Sequence, residues 1–237
     1  MSNPYFKFQK FTVWHDKCSM KVGTDGVLLG AWASAPEARR VLDVGSGTGL
    51  IALMMAQRFP EAHITGVEVD ADAFRQSRDN VQVSPWSGRI ELVHADFRLW
   101  KPVADAQFDL IVSNPPYFID ALRPSAEGRS LARHAAGLNY ESLFSHSRDL
   151  LAEGGRVCVI VPAEVAQLVQ NTAVKYGLYP FTRVHVFTKQ GKPLKRMMIS
   201  FGTHIVPCHD NHLCLMDSDG TYSSAYRQLT ADFYLKL

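Results

Sequence analysis

Asn114-Pro115-Pro116-Tyr117 follows the apolar run Phe108-Asp109-Leu110-Ile111-Val112-Ser113 and sets an amide, a main-chain carbonyl and a phenol ring on neighbouring residues. Two prolines in succession cannot continue a sheet ladder and they fix the backbone, so these groups are held in one rigid arrangement. Alone, the tetrapeptide reads equally well as a proline-stopped strand with a turn Asn. Asp43-Val44-Gly45-Ser46-Gly47-Thr48-Gly49 ends another apolar run and opens a helix, with alternate glycines that permit close backbone approach to a ligand. The spacing is not the G-x-G-x-x-G of dinucleotide folds, and no P-loop lysine is present. Glu68 ends a third run, where a carboxylate can take both hydroxyls of a ribose. Asp96 follows a fourth, where it can accept from an exocyclic amine.

These residues need a scaffold that brings strand ends together, and the alternating pattern supplies one. Strands are expected at 41–44, 64–69, 90–94, 108–113 and 155–161, separated by helix-length sequence that includes helices at 50–58 and 72–82. Alternation of this kind argues an α/β fold with a doubly wound, mostly parallel sheet and right-handed crossovers. Ligands in such sheets bind at the carboxyl ends of the strands, and Asp43, Glu68, Asp96 and Asn114 all fall there.

Around this core, Tyr5 to Trp14 reads as a short aromatic hairpin or edge strand capping the core. Thr24 or Asp25 is expected to N-cap a helix that helps wall a pocket. After a helix at 163–176, Thr182–Phe187 and Met197–Phe201 are expected to pair antiparallel at one sheet edge. The four cations Lys189, Lys192, Lys195 and Arg196 lie between or at the ends of these strands and form a basic tip. Phe118 to Leu138 is the least regular stretch and carries Arg123, Arg129 and Arg133. A loop of this length beside an active-site turn is often functional. A strand at 212–216 and a terminal helix close the chain.

The 237 residues fit a single α/β domain, and a net charge of +2 gives no strong overall field, so any nucleic-acid affinity must come from local patches. Four cysteines without a Cys-x-x-Cys pair favour a reduced, cytoplasmic setting. Cys208, His209, His212 and Cys214 cluster, but their spacing fits no zinc template and no metal is expected. There is no signal-peptide pattern and no run of about 18 apolar residues, so neither export nor a membrane association is expected.

Asp43-x-Gly45-x-Gly47-x-Gly49, Glu68, Asp96 and Asn114-Pro115-Pro116-Tyr117 together resemble the motif series of class I S-adenosylmethionine-dependent methyltransferases, with the tetrapeptide of the subgroup that methylates planar amino nitrogens. Met20 to Trp32, Ser84-Pro85-Trp86 and Tyr222-Ser223-x-Ala225-Tyr226 resemble, more closely, the bacterial tRNA(Val) adenosine-37 N6-methyltransferase family. The resemblance implies a seven-stranded Rossmann-like sheet with an antiparallel edge strand. It implies one methyltransferase domain over 1–237, with a capping hairpin and helix at 1–39, a catalytic core at 40–205 and a C-terminal strand and helix at 206–237.

It further implies that S-adenosylmethionine is the cofactor, held by Lys21, Gly23, Thr24, Asp25, Asp43, Gly45, Ser46, Gly47, Gly49, Glu68, Val69, Asp96, Phe97 and Asn114. Within that set Glu68 takes the ribose, Asp96 the adenine amine, and the glycine loop with Asp43 the methionine end. Asn114, Pro115, Pro116 and Tyr117 would carry the chemistry on adenine N6. Arg123, Arg129, Arg133, Lys189, Lys192, Lys195 and Arg196 are the candidates for RNA contact. The implied partner is a tRNA, with no DNA and no obligate protein partner. N5-methylation of a glutamine side chain is the alternative acceptor, though such enzymes carry a separate N-terminal substrate-binding domain that is not evident here. A non-catalytic binding module would not need the intact tetrapeptide, and NAD chemistry is disfavoured by the glycine spacing.

Overall fold

The computed structural model describes residues 3–18, 21–103, 106–116 and 138–236. A short antiparallel hairpin, β1 (Tyr5–Lys7) with β2 (Thr12–Trp14), precedes α1 (Thr24–Trp32). Then β3 (Arg40–Val44), α2 (Leu50–Arg58), β4 (His63–Glu68), α3 (Ala71–Gln82), β5 (Ile90–His94) and β6 (Phe108–Ser113) alternate as expected. After 138 come α4 (Tyr140–Leu150), β7 (Leu151–Pro162), α5 (Ala166–Lys175), β8 (Tyr179–Lys189), β9 (Leu194–Gly202), β10 (His209–Met216) and α6 (Ser224–Thr230).

Among the described residues, eight strands form one sheet in the order β10-β8-β9-β7-β6-β3-β4-β5. The pairings β7/β6, β6/β3, β3/β4 and β4/β5 are parallel, while β9 runs against both β7 and β8. The expected antiparallel pair is therefore present toward one edge. The strand count is eight rather than seven, because β10 adds in parallel outside β8. Its residues His209 to His212 are exposed, so it lacks the apolar run that marks a central strand.

Two apolar layers hold the sheet. On one face α1 and α2 pack with Leu28, Leu29, Leu53 and Met54, each fully buried, and the hairpin adds Phe8, Phe11 and Val13. On the other, Leu143, Phe144, Val165 and Val169 cover Val157, Val159 and Phe201. The hairpin thus caps the core as expected, with Phe8 stacked on Phe11 at 4.6 Å and Phe11 edge-on to Trp86 at 5.6 Å. α4 starts from a reciprocal cap, in which Asn139 Oδ1 accepts from the Ser142 backbone N–H and Ser142 Oγ accepts from the Asn139 N–H.

Two guanidinium groups brace the helix face. Arg58 donates to the carbonyls of Gly30 and Ala33, tying α2 to the end of α1. Arg89 donates to those of Ala56, Phe59 and Ala62, answering acceptors that the end of α2 leaves open.

Candidate active site

The loop between β3 and α2 is shaped by its glycines. Gly45 and Gly47 have φ of 73° and 53°, a region that L side chains rarely adopt, and a Cβ on either would meet nothing within 4 Å. Backbone angle rather than crowding therefore demands glycine, and the space left is open to a ligand. Gly49, also left-handed, is the N-cap of α2 and offers no side chain to its amides. The Asp43 carboxylate replaces that cap from below, accepting from the Ala52 N–H at 3.0 Å. Asp43 is fully buried, and its other carboxylate oxygen has no hydrogen-bond partner. Burial pushes its carboxyl up to about 7, against the Ala52 hydrogen bond and with a further push from the nearby Glu68 charge.

Glu68 closes the other side of the loop. One oxygen accepts from the Gly47 N–H at 2.7 Å and the other from the Asp70 N–H at 2.9 Å, which fixes the carboxylate at the end of β4. Asp96 lies beyond β5 and is engaged by a neighbour that sequence reading missed. Arg98 donates through Nε at 3.0 Å to both Asp96 oxygens, and its backbone N–H reaches one of them at 2.9 Å. This guanidinium holds the Asp96 carboxyl below the usual carboxylate range. A ligand amine at Asp96 would share the carboxylate with Arg98.

Asn114 emerges from β6, where Ser113 Oγ donates to the Val44 carbonyl at 2.8 Å and pins the ends of β6 and β3 together. Two cavities adjoin at this point. The first is lined by Val67, Glu68, Val69, Asp96, Phe97 and the turn Asn114-Pro115-Pro116. The second is lined by Lys21, Gly23, Thr24, Asp25, Ser46 and Thr48. Gly45, Gly47 and Asn114 belong to both walls. A bent ligand spanning the two would pass over the glycine loop and beside the Asn114 amide. Cys18, Asp70, Arg98 and Leu138 also line the first cavity, and nothing in their sequence context singled them out.

The second cavity departs from expectation at α1. The helix starts at Thr24 with Gly23 as N-cap and no side-chain cap, because the Asp25 carboxylate turns instead to Arg196, which donates through Nε at 2.7 Å. Both side chains of this pair are about one-fifth exposed. Arg196 is thus tied to the wall of the second cavity rather than projecting at a basic tip. Lys189 ends β8 and Lys195 lies in β9, so the turn proper is only Gln190 to Pro193 and carries Lys192. Ser46 Oγ, buried beside the second cavity, has no hydrogen-bond partner.

Asn80 in α3 binds the hairpin to the loop. Its amide nitrogen donates to the carbonyls of Trp14 and Thr48, both at 2.9 Å, and its oxygen accepts from the Trp14 N–H at 2.9 Å. In the edge strand, Asp210 accepts from Arg183 at 2.6 Å and lies 3.0 Å from the His185 ring, which accounts for the polar face near Cys208. Among the described residues no His, Cys, Asp and Glu group is arranged to hold a metal. Tyr117, Arg123, Arg129 and Arg133 lie outside the described residues.

The methyltransferase small domain model matches residues 19–168, the stretch that holds every lining residue of both cavities except Cys18. A tRNA1(Val) (adenine(37)-N6)-methyltransferase of Bacteroides thetaiotaomicron is 48% identical over 238 residues, covering 100% of each chain. The chain belongs to the tRNA1(Val) (adenine(37)-N6)-methyltransferase family. A Bacteroides fragilis member is 45% identical, again over 100% of both chains. A predicted O-methyltransferase of Agrobacterium tumefaciens superposes with a TM-score of 0.69 at 17% identity, covering 88% of this chain and 96% of that one. That likeness is one of fold. The family's glycine loop, strand-end acids and Asn-Pro-Pro turn thus stand here around two joined cavities.

Proposed function

We propose that this protein transfers the methyl group of S-adenosylmethionine to N6 of adenosine 37, beside the anticodon of a valine tRNA. One observation carries the assignment of the site: Asn114 stands on the wall common to both cavities. Full-length identity to relatives named for this reaction supports the choice of acceptor. Nothing favours the glutamine acceptor.

When bound, the cofactor supplies an electrophilic methyl on a sulfonium; the chain's residues hold it and the acceptor. Glu68 would accept from the ribose hydroxyls with lone pairs that Gly47 and Asp70 leave open, and Asp96, on the cavity wall that also carries Val69 and Phe97, would accept from the cofactor's adenine amine. The glycine loop, Ser46 and Asp43, with Lys21, Gly23, Thr24 and Asp25 opposite, enclose the methionine end. The Ser46 Oγ, without a partner beside the second cavity, fits a ligand that brings its own donor.

Asn114 Oδ1 and the Pro115 carbonyl accept hydrogen bonds from the acceptor amine. Those bonds localise its lone pair on nitrogen, and Tyr117 stacks on the base to keep it in line with the methyl. No strong base is required, because the nitrogen proton becomes acidic once the methyl arrives. Adenosine 37 lies in a loop, where splaying a base costs least. Lys189, Lys192 and Lys195, with Arg123, Arg129 and Arg133, meet the RNA backbone; Arg196 contributes through Asp25.

The protein works in the cytoplasm as one catalytic domain with flanking caps. Among the described residues no helix is long and apolar enough to cross a membrane. Incubation with total tRNA and methyl-labelled cofactor, followed by nucleoside digestion, should yield labelled N6-methyladenosine mapping to the base after the valine anticodon. Label in any other nucleoside, or in protein alone, would overturn the assignment.

A further inference from the structure

The sequence Tyr222-Ser223-Ser224-Ala225-Tyr226 takes no part in either cavity. It is nonetheless firmly built: Ser223 Oγ donates to the Cys214 carbonyl at 2.6 Å and accepts from the Tyr226 N–H at 3.1 Å. This sets α6 beside β10 and α1, and the residues that follow it reach the N-terminal hairpin, where Tyr234 meets Phe6 edge-on at 5.8 Å. A third cavity opens between them, walled by Phe6, Met216, Tyr222, Tyr226, Tyr234 and Lys236. Gly23 and Thr24 line it and the second cavity alike. One stretch of backbone is therefore the partition between the methionine side of the active site and an aromatic cleft.

The chemistry of the cleft is specific. Tyr222 and Tyr226 rings lie 5.1 Å apart, and Tyr222 is 38% exposed, so it presents ring surface at the mouth. The Tyr226 and Tyr234 hydroxyls are 3.2 Å apart. Only one of their two hydrogens can lie between them, which leaves the other O–H to seek a further acceptor. Burial pushes both phenols up, so both stay protonated. Lys236, at the rim, is exposed.

We infer that this cleft receives an unpaired nucleobase of the RNA substrate, adjacent to the adenosine being methylated, with its face on Tyr222, its edge toward the Tyr226–Tyr234 hydroxyls and its phosphate toward Lys236. The inference rests on the RNA-acceptor reading above. A base turned out of a loop forfeits stacking on its neighbours, and an aromatic platform beside the reaction cavity restores it for one of them. An apolar peptide side chain would leave the hydroxyl pair and the ammonium unanswered. The cleft also gives a use to the terminal motif, which the reaction itself leaves idle.

Steady-state kinetics on full-length protein with valine tRNA test the assignment. Tyr222→Ala should raise the KM for tRNA by about 5- to 100-fold, the range of one lost base–aromatic stack. Turnover at saturating tRNA and the cofactor Kd should stay within twofold, and Tyr222→Phe should restore the KM because the ring, not its hydroxyl, does the stacking. Lys236→Glu, which alters no buried contact, should raise the KM and flatten its salt dependence, and it decides the matter if Tyr222→Ala fails to fold. Wild-type activity on tRNA with unchanged KM in these variants would overturn the cleft's role alone. A wild-type protein inactive on every tRNA would overturn the RNA-acceptor reading and the cleft's occupant with it.

Discussion

The two cavities that meet at Gly45, Gly47 and Asn114 are prepared in opposite ways. In the first, each acid is already answered by the protein: Glu68 by the Gly47 and Asp70 amides, Asp96 by Arg98. In the second, Ser46 Oγ has no partner, and beneath the glycine loop, outside both linings, the buried Asp43 has one oxygen without a partner and its carboxyl pushed up to about 7. The first cavity is thus preorganised, with its carboxylates oriented before any ligand binds. The second cavity is bordered by a buried hydroxyl without a partner, which a ligand bringing its own donor would complete. Binding specificity should reside in the first half and the energetic response to binding in the second.

The wall between the halves gives the largest expected effect. Asn114→Ala should lower turnover by about 10²- to 10³-fold, the scale of one lost group that stabilises developing charge. The cofactor Kd, measured by calorimetry, should move little. A large loss of cofactor affinity would mean that Asn114 serves the cavities rather than the acceptor.

Within the preorganised half, Glu68→Gln keeps the side-chain shape but removes the charge. Cofactor affinity should fall by about 10- to 100-fold, as expected for a hydrogen bond to a charged group. An unchanged Kd would dissolve the contrast, since the fixed carboxylate would then have no ligand to serve.

For the unsatisfied half, the test is pH. The Asp43 carboxyl rises from 3.8 to about 7 on folding, so between these values the folded protein binds a proton that the unfolded chain has released. Its stabilising contribution is complete below 3.8, is lost as pH rises toward about 7, and changes no further above that. Melting temperature against pH, without cofactor, should show this decline in the wild type and lack it in Asp43→Asn. A variant with the same slope would place the titrating group elsewhere.

The smallest effect belongs to the two lysines of the β8–β9 hairpin, whose side chains line neither cavity. Lys192→Glu and Lys195→Glu should raise the tRNA KM a few-fold and flatten its log–log salt dependence by about one unit per lysine. Cofactor affinity should not respond.

The contrast also marks what the sequence could disclose. The glycine loop, Glu68, Asp96 and the Asn-Pro-Pro turn were legible because each terminates an apolar strand, and strand ends in a parallel sheet share one rim. The Arg98 pairing was not, since charged neighbours two residues apart are ordinary in any exposed loop. Asp25 and Arg196 are 171 positions apart, and only the packing of β9 near α1 makes them partners. β10 escaped full description because its first half is polar and exposed, as edge strands often are. The helix cap at Thr24 or Asp25 was misread for the same reason that Arg196 was: a long-range ion pair outcompeted a local hydrogen bond.

Asn80 joins a surface element to the reaction rim by a single amide. Trp14, whose backbone it grips on both the N–H and the carbonyl, is 42% exposed and lies 4.9 Å from Tyr5. Any ligand that tightens the glycine loop pulls on the Thr48 carbonyl, and through Asn80 on this indole. The indole is thus linked through Asn80 to the glycine loop, and Trp14 emission should change when the first two cavities fill.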